Sequence, residues 1–471
     1  MDDKSNSKNS SEHTNILDLH ECIFREIFDY VDHHELYFTV RSVGRVLKSY
    51  VESYIELGGE FVLAPRSPET PIEVLYIFKK KSKPVSSCSR LLPPLPHPGK
   101  DHNKKSPVHY LRTFGAMIKG NLIIGVYCKH GYIDVYAGRI PCFQYFFWKF
   151  DQDKLEWLPI KPEGKQNDLP YADAACQYYP MASCAFEDTI LILEHVEVVN
   201  PNWIIPYRYH NNLRRFVFNV SSDKNDNSNK NYSTDSNKTK HWKKEFHISS
   251  YNTSIVGIAN IGSGIKMDQD LNQLSGTNML QIDDKTFVLY GGKKERYGDI
   301  ASIPMMYKTS YFNIDIAEKQ KIYPTTRFQE FEINHEVFLR PSDLKMYKRP
   351  ILFKIKDSIF IGGAFCPSSQ SQFASHNLYL HCDQIDIHDG VMNTPDALPY
   401  YVDSCDGNAL TDEQETFALI SREYLGRTLI FTEKDGFHEL PNTNYDETWK
   451  NYHLRDREKE CLPKMPLLRI R

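Results

Sequence analysis

The sequence predicts a mainly β protein, a ring of small antiparallel sheets preceded by a short helical module. Three observations carry that expectation. Apolar runs of strand length return in pairs along most of the chain, separated by turns. Tyr and Phe are abundant, 29 and 26 among 471 residues, as packing on pleated surfaces favours. Helical spacing of apolar residues is confined to the N-terminal end and disappears beyond Gly58.

The helical elements come first. After the polar tail 1–14, Ile16, Leu17 and Leu19 precede Ile23, Phe24, Ile27, Phe28 and Val31 at helical spacing. Leu36, Val40, Val43 and Leu47 form a second stripe. Two short amphipathic helices must bury such stripes against something. The arc from Ile23 to Val31 is too wide for one contact surface, so one face should pack within the chain and another should meet a partner. Each large apolar side chain covered is worth roughly 1.5–3 kcal/mol, which makes leaving several in water costly. The stretch GRVLKSYVESYIELGG (44–59) reads as a helical spacer leading away to the first strand.

Strand pairs follow in order: 59–65 with 73–79, 121–127 with 145–151, 188–194 with 214–220, 285–292 with 309–316, 357–363 with 376–382, and 415–421 with 427–433. Several pairs continue into a segment ending in Trp or Pro, as in DKLEWLPIKP. About six such units make a blade array, a β-propeller, because a small sheet cannot bury both faces until others stack against it. A two-sheet sandwich ranks second, since it does not explain the recurring order. The cluster Lys79, Lys80, Lys81 and Lys83 reads as a solvated hairpin tip. The Asn/Ser/Asp/Lys stretch 221–240 lacks core residues and should be a disordered loop, and 260–276 is loop-like too.

The repeats resemble the kelch family. The pairs Gly291-Gly292 and Gly362-Gly363 each end an apolar run, and Trp157 follows a strand–turn–strand in FDQDKLEW. The resemblance implies a kelch-like β-propeller with glycines where backbones approach and Trp157 filling the space between blades. LDLHECIFREIFDYVDHHEL…VRSV in turn resembles an F-box, the helical module that attaches substrate receptors to SCF-type cullin–RING ubiquitin ligases. Leu19, Ile23, Phe24, Ile27, Phe28, Val31, Leu36, Val40 and Val43 are the positions that resemblance assigns to the adaptor. The family has Leu-Pro where this chain has Leu19-His20; Asp18 remains as a helix cap there.

Other chemistries leave little trace. The net charge is −4, which gives no global basic field for nucleic acid. The ten cysteines have no CxxC pairing or zinc-ligand spacing, and neither a signal peptide nor a membrane-spanning run is legible, so free thiols in the cytosol or nucleus are expected. GIANIGSGIK (257–266) lacks the Lys-Ser/Thr of a phosphate loop. Asp268, Asp270 and Asn272 begin like a calcium loop, but Gln273 and Met279 break it. His33, His34, His376 and His381 lack metal-helix spacing, and no nucleophile or dinucleotide signature is present.

These readings divide the chain into a tail (1–14), an F-box-like module (15–57), a propeller (58–445) and a C-terminal tail (446–471) available to close the ring. The implied function is a non-catalytic substrate receptor of an SCF ligase, with a Skp-family adaptor and cullin as partners, an unidentified target protein, and no cofactor, metal, nucleic acid or membrane. A kelch-type scaffold without ligase attachment is the alternative, and a propeller enzyme the third. Tyr132, Tyr136, Arg139, Arg296 and Tyr297, with Tyr127 nearby, are the expected target-binding loop residues, since Tyr and Arg anchor interfaces.

Overall fold

A computed structural model describes residues 21–65, 68–97, 109–135, 138–162, 176–186, 189–198, 208–221, 245–255, 278–281, 286–290, 305–308, 335–336, 348–365, 379–386, 392–393, 409–422, 427–441 and 465–470. Among them, small antiparallel sheets follow one another along the chain. The first contains β1 (Glu56–Leu63), β2 (Ile72–Lys80) and β3 (Lys83–Leu92), completed by the C-terminal β25 (Pro466–Arg469), in the order β25-β1-β2-β3. The second is β4 (His109–Ile118), β5 (Asn121–Val135), β6 (Gly138–Asp151) and β7 (Glu156–Pro159). The third runs through β9 (Cys176–Phe186), β10 (Thr189–Val198), β11 (Arg208–Ser221) and β12 (Glu245–Ile255), edged by the two-residue parallel β8 (Lys161–Pro162).

The fourth sheet holds β13 (Asn278–Gln281), β14 (Thr286–Tyr290), β15 (Met305–Lys308) and β16 (His335–Glu336). The fifth holds β17 (Lys348–Ile355), β18 (Ser358–Phe365), β19 (Tyr379–Asp386) and β20 (Met392–Asn393). The last holds β21 (Leu410–Thr411), β22 (Ala418–Arg422), β23 (Thr428–Thr432) and β24 (Gly436–Leu440). First strands meet in succession, β4 with β9, β9 with β13, β13 with β17 and β17 with β21, while β25 meets both β21 and β4. The result is a closed β-propeller.

Five sheets are built from one contiguous run of chain each, and the remaining one joins the two ends. The expected count of about six blades is therefore corrected to five, because β1–β3 lack a first strand of their own until β25 pairs with β1. That pairing comes from the expected C-terminal tail.

Side-chain alternation explains why the runs are apolar throughout. On β2, Ile72, Val74, Tyr76 and Phe78 enter one core with the N-terminal helices and the second sheet, while Leu75 and Ile77 enter another with the last sheet. On β5, Leu122, Ile124, Val126 and Cys128 face the first sheet, whereas Ile123 and Tyr127 face the third. Strands buried on both faces read as continuous apolar runs. A sandwich would leave one face of each sheet in water. Trp157, on β7, is buried at the joint of the first and second sheets, and its indole N–H donates to the Pro93 carbonyl at 2.8 Å.

Four local expectations change. Only Lys81 and Ser82 form the β2–β3 tip, both at positive φ; Lys79 is buried instead of solvated. Gly362-Gly363 lies inside β18 and does not end it. Tyr127 is a buried strand residue, not a loop residue, because β5 and β6 continue their ladder out to Val135 and Gly138. Strand β1 begins at Glu56, inside the expected helical module, and α4 (Arg45–Tyr54) leads straight into it, so the stretch 44–59 packs back on the ring and does not lead away. The expected run 309–316, Gly291-Gly292, and the loops 222–240 and 260–276 lie outside the described residues.

Candidate partner interface at the N-terminal helices

The module contains α1 (Glu21–Phe28), α2 (His33–Glu35), a π-helical turn (Leu36–Val40), α3 (Arg41–Val43) and α4. Asp32 caps α2, its carboxylate accepting the His34 N–H at 2.9 Å. Gly44, in extended backbone, separates α3 from α4. Leu47, Val51 and Tyr54 recur at helical spacing and make the buried face of α4. Phe24 lies 5.0 Å from the Tyr50 ring, and Phe28 meets Tyr54 edge-on at 5.5 Å.

Tyr37 and Phe38 rest on Phe78, and Phe38 also on Tyr76, which docks the module on β2. Polar ties reinforce the joint. His33 Nδ1 is 2.6 Å from Ser86 Oγ, and Lys80 donates to Asp29 at 3.1 Å while its ammonium stands 4.0 Å over the Tyr54 ring. The Tyr54 hydroxyl also donates to Asp29, which holds that carboxyl below its ordinary pKa, Tyr54 first and Lys80 next. Burial lowers the His33 pKa, opposed by Asp32 and assisted by Lys80.

The expected adaptor-binding residues divide between two faces. Phe24, Phe28 and Leu36 are 2%, 2% and 0% exposed and belong to this chain's own core. Val31 and Val40 are half-buried against that core. Ile23, Ile27 and Val43 stay 44%, 40% and 70% exposed, and Val46, Tyr30 and Phe38 are exposed as well. Leu19 lies outside the described residues. The sequence predicts an inward and an outward face but not which residue lies on which, because helical spacing shows how wide an apolar arc is and not what lies beneath it.

Of the expected target-binding residues, Tyr132 lies on β5 opposite Pro141, and Arg139 on β6 opposite Asp134. Tyr136, between those strands, and Arg296 and Tyr297 lie outside the described residues. Tyr132 and Arg139 therefore lie on a paired strand ladder where a loop was expected.

Buried polar chemistry elsewhere ties sheets together. The Tyr145 hydroxyl donates to Glu194, which also accepts from Arg214 Nε at 2.7 Å, between the second and third sheets. Burial and the Glu194 charge push the Tyr145 pKa well up. Lys79 Nζ donates to Asp412 at 2.7 Å, Gln414 at 2.7 Å and Thr416 at 3.1 Å, joining the first and last sheets. Sequence reasoning missed this latch; the Gly58-Gly59 pair signals it, since a Cβ on Gly58 would sit 2.5 Å from the Lys79 stem. Burial pushes the Cys88 and Cys184 thiols up to about 12, which keeps them from acting as thiolates at neutral pH. Among the described residues no group of three or more His, Cys, Asp or Glu is placed to hold a metal ion, and no helix is long and apolar enough to cross a membrane.

No family model and no curated protein matches the chain. Solved structures similar to it include Trypanosoma rangeli sialidase in complex with sialic acid, at 9% identity over 81% of this chain and 52% of that one, TM-score 0.41. TolB from Acinetobacter baumannii is similar at 10% identity over 83% and 66%, TM-score 0.34. A family 117 glycoside hydrolase produced by Zobellia galactanivorans is similar at 8% identity over 69% and 82%, TM-score 0.34. This chain thus spans about half the length of the sialidase and 66% of TolB. These neighbours are mostly propeller enzymes and are not named as F-box or kelch proteins, and on that finding the expectation of a non-catalytic chain is withdrawn. At such identities and TM-scores no substrate or activity passes from them to this chain.

Proposed function

We propose that this chain is the substrate-recognition subunit of an SCF-type cullin–RING ubiquitin ligase, its helices docking a Skp-family adaptor and its kelch-like propeller holding a target protein. One observation carries the reading: after Phe24, Phe28 and Leu36 are buried, Ile23, Ile27, Val43 and Val46 still point apolar surface into water. Exposed apolar residues grouped on adjoining helices favour a protein partner. The mechanism is positioning, in which a tethered target lysine meets activated ubiquitin at raised effective concentration. The free thiols of Cys88, Cys128, Cys184 and Cys382 suit a cytosolic or nuclear site. Co-purification of the full chain with a Skp-family adaptor and cullin supports the proposal; absence of both from a folded chain overturns it.

A second reading, a kelch-type protein-binding scaffold, draws on the inward half of the expected adaptor set. Target abundance separates the two. Ile27→Asp in the chain should let a ligase target accumulate, whereas a scaffold's partner stays at the same level.

A further inference from the structure

A cleft of about 640 Å³ opens between the π-helical turn, α3, α4 and the first sheet. That volume lies within the range of binding pockets. Tyr37, Phe38 and Tyr76 form its aromatic wall, and Arg41, Arg45 and Lys48 stand around it against the carboxylate of Glu60. Phe38 meets Tyr76 edge-on at 5.1 Å yet remains 40% exposed, so the ring keeps an uncovered part. π-Helical turns are rare and recur at functional sites.

The cations are unequally committed. Arg41 is held by Glu52 at 2.6 Å and lies 4.8 Å over the Tyr37 ring. Lys48 approaches Glu52 only at 4.0 Å, a separation worth little at an exposed position. Arg45 is exposed and makes no ion pair among the described residues. Ile23, Ile27, Val43 and Val46, assigned to the adaptor, are not among the residues that line this cleft.

We propose that this cleft binds a short acidic peptide segment of a partner protein, an aromatic side chain resting on Phe38 and its carboxylates meeting Arg45 and Lys48. The aromatic wall offers offset or edge-on ring contacts, and the surplus of positive over negative lining groups selects acidic sequence. The Glu60 carboxylate in the lining disfavours a continuous polyanion and sets a short footprint.

The probe is a fluorescently labelled Glu-Glu-Tyr-Glu-Glu peptide titrated with the full chain by anisotropy. Controls replace its Tyr with Ala, or its four Glu with Lys. The acidic aromatic peptide should bind, both controls should bind at least about tenfold more weakly, and added salt should weaken binding. Arg45→Glu with Lys48→Glu, and separately Phe38→Ala, should each reduce affinity about tenfold or more. Arg45 and Lys48 are exposed, so a melting curve matching the parent's shows that any loss is local. Absence of binding, equal binding of the three peptides, or affinity unmoved by these variants overturns the proposal. An Ile23→Asp, Ile27→Asp chain should bind the peptide like the parent, which separates this site from the adaptor reading.

Discussion

The seam between the first and last sheets and the joint beneath the N-terminal helices rest on opposite faces of one strand, β2, and they are finished differently. At the seam every large group of β2 is matched. Leu75 and Ile77 meet Phe417, Leu419 and Ile430, Glu73 pairs with Arg422, and Lys79 spends three donors on Asp412, Gln414 and Thr416. Ser87 adds a buried hydroxyl bond to Thr428 at 2.8 Å. On the other face Tyr76 and Phe78 are covered by the helices, but those helices keep Ile23, Ile27, Val43 and Val46 in water. The seam is a completed structural joint. The helical module is half of one, and that difference is the physical content of the partner proposal.

Breaking the seam should have the largest effect. Lys79→Met leaves the Asp412 carboxylate buried without its cation and should cost roughly 3–5 kcal/mol, read by denaturant unfolding. A loss below about 1 kcal/mol would mean that the latch is dispensable. Gly58→Ala tests the same joint from the other side. Its Cβ would meet a Lys79 stem that three hydrogen bonds hold in place, so a loss of about 1–3 kcal/mol is expected.

The helical joint should answer to pH more gently. Burial lowers the His33 pKa in the folded chain, so between that value and the unfolded value near 6.5 the unfolded chain binds more protons. Stability is therefore full above about pH 6.5 and declines as acid enters that window. His33→Gln should flatten the decline in melting temperature on acidification; an identical slope in both proteins would place its source elsewhere.

How far these two regions could be read in sequence follows the range of the forces involved. Continuous apolar runs such as 73–79 and 121–127 announce strands because both faces are buried, and Trp157 announces a joint between sheets. The latch is invisible locally: Lys79 stands 333 residues from Asp412, in a lysine run that looks like a solvated tip. Tyr127 was misplaced because Lys, His, Gly and Asp interrupt the apolar pattern after it, while the backbone ladder needs no apolar side chains to continue. The C-terminal tail was legible as available to close the ring, but sequence order hides that β25 within it pairs with β1. At the candidate interface the spacing of Ile23, Phe24, Ile27 and Phe28 was legible, but the split between inward phenylalanines and outward isoleucines depends on where Tyr50 and Tyr54 of α4 lie. A deletion of the module would not be a clean test, since it would strip the cover of Tyr37 and Phe38 from Phe78.

The central claim is tested most directly by the Ile23→Asp, Ile27→Asp chain. Both positions are exposed, so its unfolding free energy should stay within about 0.5 kcal/mol of the parent's. Calorimetric titration with a purified Skp-family adaptor should then show binding by the parent and loss of at least about tenfold affinity in the variant. Equal binding by the two folded chains would contradict the account.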